Sequence, residues 1–303
     1  MAEKTPKPAK PAKPAFWRRL LPGRFGKRPA VVTVVRLSGA IGLTSPLKPG
    51  LTLASLADSL EQAFTAKRVA AVALAVNSPG GSPVQSAQIF KRIRALAEEH
   101  EIPVTVFAED VAASGGYMLA CAGDEIYADA SSIIGSIGVV SAGFGFDKLI
   151  GKYGIERRVH TQGRNKSMLD PFQPEKPDDV KRLKSLQKDV HENFIALVRE
   201  RRGAHLPARD GALFTGEFWS GQKALELGLI DGIGDLRSVM RDRFGADTKF
   251  KLVGPRRSWL QRRFGGLPGT WTRPDMLDGL RAGLVGDVLA AIEERALWSR
   301  FGL

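Results

Sequence analysis

Cysteine is all but missing from this 303-residue chain: Cys121 stands alone, so no intrachain disulfide can form. Histidine is scarce as well, limited to His100, His160, His191 and His205. No Cys/His spacing resembles a metal site and no glycine-rich phosphate loop is present, so the sequence implies neither a metal nor a cofactor. Nowhere do about 18 apolar residues run together, as a transmembrane helix would require, and the N-terminal region lacks the roughly 7–15-residue apolar stretch of a signal peptide. The expectation is therefore a cytoplasmic protein without a membrane-spanning segment. Cys121 falls on the apolar face of Tyr117–Cys121 and reads as a buried structural thiol.

Acidic residues are outnumbered, 32 against 45 Lys and Arg, for a formal charge of +13. Such an excess draws a chain towards nucleic acid or an anionic membrane. Its distribution narrows the choice. Residues 1–30 carry nine Lys/Arg and one acid, net +8; residues 254–303 are net +3; the middle keeps only +2. The Lys/Pro repeat from Lys4 to Pro14 cannot build a core and is expected to be extended and disordered. It leads into Phe16-Trp17-Arg18-Arg19-Leu20-Leu21, and residues 1–28 are expected to touch an anionic membrane at its inner face rather than nucleic acid.

The nearly neutral body alternates strand-like and helix-like runs. Val31–Leu37, Val69–Val76, Pro103–Ala108 and Asp124–Ala128 are short and rich in β-branched or apolar residues. Leu53–Ala66, Val84–His100 and Asp178–Arg202 carry apolar residues at helical spacing. Three segments follow: a basic tail over 1–30, an α/β domain over 31–244, and a basic extension over 245–303. Within the extension, Leu277, Leu280, Leu284, Val288 and Ile292 place an amphipathic helix over Met276–Trp298, docking on the body or on a neighbouring subunit.

Two segments carry chemistry. Asn77-Ser78-Pro79-Gly80-Gly81 follows one strand-like run, and Ala112-Ala113-Ser114-Gly115-Gly116-Tyr117 follows another. Each offers glycine N–H groups free of side-chain bulk, the kind of donor that stabilises an oxyanion, and the second adds a hydroxyl at the mouth of a helix. Taken singly, the segments also fit a helix N-cap and an ordinary turn. A serine nucleophile needs a base. Of the histidines, His100, His191 and His205 read as solvated, and His160 lies in the strand-like Glu156–His160 with no acid nearby in sequence. A lysine serves equally well if burial makes its neutral form available. Lys166 lies beside Met168, Leu169 and Phe172, and out of context it reads as a solvated charge.

Four segments, Asn77–Gly81, Ala113–Tyr117, Ile134–Gly138 and Lys166-Ser167, stand in the order and at the spacing of the signal peptide peptidase A family of Ser–Lys serine peptidases. The resemblance runs from about Val31 to about Phe244. It implies an α/β fold of Clp/crotonase-like type, a spiral of stacked β-turn-β-α units with outer helices. It also implies Ser114 as nucleophile, Lys166 as general base, Ser136 orienting the lysine amine, and Gly80 and Gly115 forming the oxyanion hole. The Clp relatives place a histidine shortly after the serine region, where this chain has Val139-Val140, which supports lysine. Many members of the family carry an N-terminal membrane anchor, and this sequence departs from them there. The function implied is a serine endopeptidase cutting unfolded or membrane-derived, signal-peptide-like substrates within a ring-shaped homo-oligomer, with a dyad that meets across a subunit boundary. The alternative is an inactive scaffold on the same fold, recruited to anionic surfaces. A crotonase-like acyl-CoA enzyme fits less well, since that chemistry needs no serine nucleophile.

Overall fold

The computed structural model describes residues 28–43, 50–207, 210–254 and 292–303. The basic tail over 1–27, and residues 276–291 of the expected terminal helix, lie outside the described residues.

Valine and alanine dominate the first strands, and they are buried on both faces, as strands covered by helices require. Strand β1 spans Val31–Ser38, β2 Val69–Ser78 and β3 Val104–Ala113. Helix α1 (Leu53–Thr65) joins β1 to β2, and α2 (Pro83–His100) joins β2 to β3; both strand pairs are parallel. Thr52 caps α1 in a reciprocal box with Ser55, and Ser82 caps α2 ahead of Pro83, so both helices start where their side chains satisfy free N–H groups.

The sheet has eight strands in the order β6-β5-β3-β2-β1-β8, with β4 on β3 and β7 on β4. Here β4 is Glu125–Ala128, β5 Ile133–Gly135, β6 Phe218–Ser220, β7 Gly232–Ile233 and β8 Lys249–Val253. All pairings are parallel except β5 with β6. This is the Clp/crotonase-like α/β arrangement expected from the sequence.

Strand β3 runs five residues beyond the expected end at Ala108, and that extension creates the site. Its first half pairs with β4 through Thr105–Ala108, its second with β5 through Val111–Ala113. The sheet forks at Glu109 and Asp110, the two exposed residues of the strand. Helix α3 (Gly115–Ala120) follows at once and is wholly buried. Ligand sites in parallel sheets form where strand order diverges at the carboxyl ends of the strands, and Ser114 sits at such a point.

The main core joins Val35, Leu37, Val72, Leu74, Val76, Ile89, Ile93, Val106 and α3. Cys121 is fully buried within it, and burial pushes its thiol up to about 12, so it is the structural thiol expected. Helix α5 (Pro177–Arg202) docks through its C-terminal half: Phe194, Val198 and Arg202 are its buried residues. Arg202 donates to Asp231 at 2.8 Å and to the Gly228 carbonyl, so the buried charge is paired. A short helix α4 (Asp147–Lys152) precedes α5 and buries nothing. Helices α6 (Gly221–Glu226) and α7 (Leu236–Phe244) complete the domain. Residues 292–299 are helical, and Trp298 and Phe301 beyond it pack on Val111, Ala113 and Ile133.

Candidate active site

Ser114 leaves β3 with φ 53° and ψ −122°, a conformation that glycine adopts freely and other residues only under strain. Two backbone anchors hold it there. The Ser114 N–H donates to the Gly135 carbonyl at 2.8 Å, and the Met118 N–H donates to the Ser114 carbonyl. The Ser114 side chain makes no capping bond to α3, so the plain N-cap reading of this serine is overturned and its hydroxyl is left for other partners.

The Pro79-Gly80-Gly81 turn approaches from the end of β2. Gly80 has φ 104°, and a Cβ built there would lie 2.8 Å from the Ser114 Cβ and 3.0 Å from the Gly115 nitrogen. Gly81 is closed off by Ile41, whose carbonyl would lie 2.1 Å from an added Cβ. Only glycines permit this approach, so the two motifs singled out in the sequence converge on one spot. The Gly115 N–H has no acceptor among the described residues. The Gly80 N–H reaches the Ser78 hydroxyl at 3.2 Å, a long bond that an oxyanion can compete for. Asn77 ties the two strand ends together: its amide donates to Asp110 at 2.7 Å and its carbonyl oxygen accepts from the Val111 N–H.

Ser136 lies just past the end of β5, the strand whose Gly135 accepts from Ser114. It is nearly buried, and is locked by its own N–H donating to the Glu217 carbonyl at 2.7 Å. Its φ of 52° again marks a residue held by its surroundings.

Lys166 stands apart. It is exposed in the turn over 164–169, within a stretch from Val139 to Lys166 that holds no buried residue. That turn is braced from the far side. Arg157 donates to Asp170 at 2.8 Å and the Phe172 N–H donates to the same carboxylate; these two bonds hold the Asp170 carboxyl below the usual range.

Beside Ser114 lies a cavity of about 170 Å³ lined by Gly115, Met118, Val139, Val140, Val190 and Phe194, with Pro79, Gly81, Pro83 and Gly138. The C-terminal helix adds Leu297 and, beyond its end, Arg300. Ser114 is in this lining; Lys166 and the four histidines are not. The cavity compares with the about 150 Å³ that accommodates benzene in an aliphatic pocket. Val190 and Phe194 were legible as one helix face; Leu297 and Arg300 carried no signal of a site.

The histidine readings need two corrections. His100 is half-buried and stacks on Phe64 with ring centroids 6.3 Å apart, because the end of α2 folds over α1. His191 is half-buried as well, its Nε2 3.1 Å from the Ile137 carbonyl, because the docked half of α5 begins there. His205 is exposed as expected, and His160 is exposed in a loop, since Glu156–His160 forms no strand.

No helix among the described residues is long and apolar enough to cross a membrane. Comparison with known proteins bears on the whole arrangement. The family description Peptidase family S49 matches residues 97–243, which include Ser114, Ser136 and Lys166. A Brucella abortus protein named Na(+)/H(+) antiporter NhaA is 53% identical over 296 residues, covering 96% of this chain and 40% of that protein. The chain thus spans well under half of that relative, and the antiporter name is a statement about the longer protein. The SppA protein of Enterococcus faecium, provisionally named a signal peptide peptidase, is 32% identical over 55% of this chain and 48% of its own length. Among solved structures, the membrane-bound stomatin-specific protease 1510-N aligns with a TM-score of 0.47 at 16% identity, over 76% of this chain and all of that one. The strained Ser114 and the Gly115-Gly116 turn lie inside the region that the Peptidase family S49 description matches, and the Gly80 turn that meets them lies just before it, so the chain is similar to that family across its candidate site.

Proposed function

We propose that the chain is a serine endopeptidase working through a Ser–Lys dyad. The observation that carries this reading is the approach of Gly80 to Ser114 and Gly115, which sets backbone donors around a hydroxyl at the edge of a cavity. In the proposed reaction the neutral Lys166 amine takes the Ser114 hydroxyl proton as Oγ attacks the scissile carbonyl carbon. The oxyanion is held by the N–H groups of Gly115 and Gly80, the second released from Ser78. The lysine ammonium then returns its proton to the departing amine. Water, deprotonated by the same amine, cleaves the ester and restores Ser114. Ser136 orients the amine. Substrates are unfolded or membrane-derived peptides of signal-peptide type, since only an extended chain can lay a carbonyl between the two glycine turns. Contact of residues 1–28 with an anionic membrane would deliver them.

Lys166 reaches Ser114 from another subunit of a ring-shaped homo-oligomer. Supporting this, the stretch that bears Lys166 exposes Phe144 (81%), Leu149, Tyr153 (70%) and Ile155, a density of bare apolar side chains that a partner surface would cover. The competing reading, an inactive scaffold, is favoured by the exposure of Lys166 away from the cavity. One experiment separates them. Inactive Ser114→Ala and Lys166→Ala chains are mixed under conditions of subunit exchange, and peptide hydrolysis and fluorophosphonate labelling are followed. Shared sites restore part of both signals. Confirmed exchange without recovery puts the dyad within one chain, and absence of labelling in the unaltered protein supports the scaffold.

A further inference from the structure

Arg300 is the one charged residue in the lining of the Ser114 cavity. Everything else there is apolar, glycine or proline, apart from Ser114 itself. The residue arrives by a tertiary route: Phe301, next in the chain, is buried against Val111 and Ala113 and meets Phe218 edge-on with ring centroids 5.1 Å apart. Trp298, two residues before Arg300, packs on the same cluster. These two aromatic anchors seat the end of the chain on the strand that leads into Ser114, and they fix Arg300 at the cavity. No acidic partner for its guanidinium exists among the described residues, whereas Arg199, Arg201, Arg202 and Arg243 each find one. A planar fork of five donors at the rim of an apolar hollow, with no carboxylate of its own, is a receptor for a carboxylate brought by something else.

We propose that Arg300 selects substrates carrying a carboxylate beside the residue that fills the Ser114 cavity. The cavity takes one small or medium apolar side chain, and Arg300 pairs with an acidic side chain or with the free C-terminal carboxylate of the peptide. Entry of the peptide displaces water from the apolar wall formed by Val139, Val140 and Leu297, which strengthens the pair relative to one on an open surface. The inference rests on reading this cavity as the substrate site, so its test must not depend on turnover.

Binding is therefore measured on full-length Ser114→Ala protein, with fluorescent octapeptides of alanine and leucine. One series replaces a single position by Glu or by Gln; a second ends in a free acid or in an amide. About tenfold tighter binding of one acidic form over its neutral counterpart is expected, the scale of a hydrogen bond to a charged group. The series in which the preference appears names the source of the carboxylate. Adding Arg300→Gln should erase the preference, and Arg300→Glu should turn it towards a Lys-containing peptide. The gain for lysine is the control against misfolding, because a damaged chain gains nothing. Equal binding of acidic and neutral peptides in both series overturns the proposal. So does an acidic preference that survives Arg300→Gln. Neither result touches the Ser–Lys dyad, whose failure would appear instead as absent labelling and absent recovery in the mixing experiment.

Discussion

The serine and the lysine of the proposed dyad stand in opposite physical settings. Around Ser114 nearly everything is buried: β2, β3 and α3 contribute to the main core, the two glycine turns interlock at backbone contact, and Ser114 and Ser136 are both held at positive φ. Around Lys166, from Val139 onwards, nothing is buried, α4 docks no side chain, and the first half of α5 stands clear of the core. A backbone donor must be placed to within a fraction of an ångström before the charge forms, and only close packing supplies that placement. A long lysine side chain on an exposed segment can be delivered late, by assembly. On the proposed reading, folding alone prepares the Ser114 half, and assembly would complete the Lys166 half.

The largest effects should come from the two residues themselves, and they should differ in kind. Ser114→Gly is expected to abolish hydrolysis, by about 10⁴-fold or more, while leaving the melting temperature unchanged or raising it, because glycine relieves the strained backbone. Lys166→Ala should lose as much activity without any gain in stability, since its backbone carries no such strain. Equal thermal shifts in the two variants would erase the contrast between the halves.

Next in size is Gly80→Ala. The added methyl would crowd Ser114 and Gly115 and push the oxyanion donors apart, so kcat should fall by about 10²- to 10³-fold. Retained activity in steady-state kinetics would mean that Gly80 is not in the oxyanion hole.

A third comparison sets the core against the arm, the exposed stretch from Val139 to Lys176 that carries α4 and Lys166. Leu74→Ala removes a fully buried side chain and should cost about 2–5 kcal/mol in denaturant unfolding. Leu149→Ala, half-exposed on α4, should stay within about 0.5 kcal/mol for the isolated subunit, yet weaken self-association in sedimentation. If sedimentation is indifferent to Leu149, the arm is not the assembly surface.

The smallest effect concerns acid. Asp235 caps α7, accepting from the N–H groups of Arg237 and Ser238, and these bonds, with the Ser238 side chain foremost, lower its carboxyl below the ordinary carboxylate value. Because the folded value is the lower one, the stabilisation is fully present above the unfolded value. It is lost as pH falls through the folded one. Asp235→Ala should cost about 1 kcal/mol near neutral pH and flatten the acid limb of the stability profile. An unchanged limb in pH-dependent unfolding would remove the cap from the account. Asp170, in the arm, is lowered by Arg157 and by the Phe172 N–H, so acid should also loosen the brace behind Lys166, visible as faster hydrogen exchange at Phe172.

Much of this protein is written locally. Alternating valine and alanine runs, capped helices and the glycine pairs at 80–81 and 115–116 each encode their own conformation, because strand burial, capping and positive φ depend on a few neighbouring residues. For that reason the α/β fold, the first helices and the two glycine turns flanking Ser114 could be read from the sequence, whereas Ser136 and Lys166 were named through the family resemblance alone. The forked sheet could not. Strand β3 runs on to Ala113 because β5 pairs with its second half, a contact about twenty residues away. His191 turned inward, and Arg300 joined the cavity, because Phe194 and Phe301 found apolar partners far along the chain. Sequence periodicity reports which face of an element is apolar. Only tertiary packing decides which other face it meets, and that meeting places a distant arginine beside a serine.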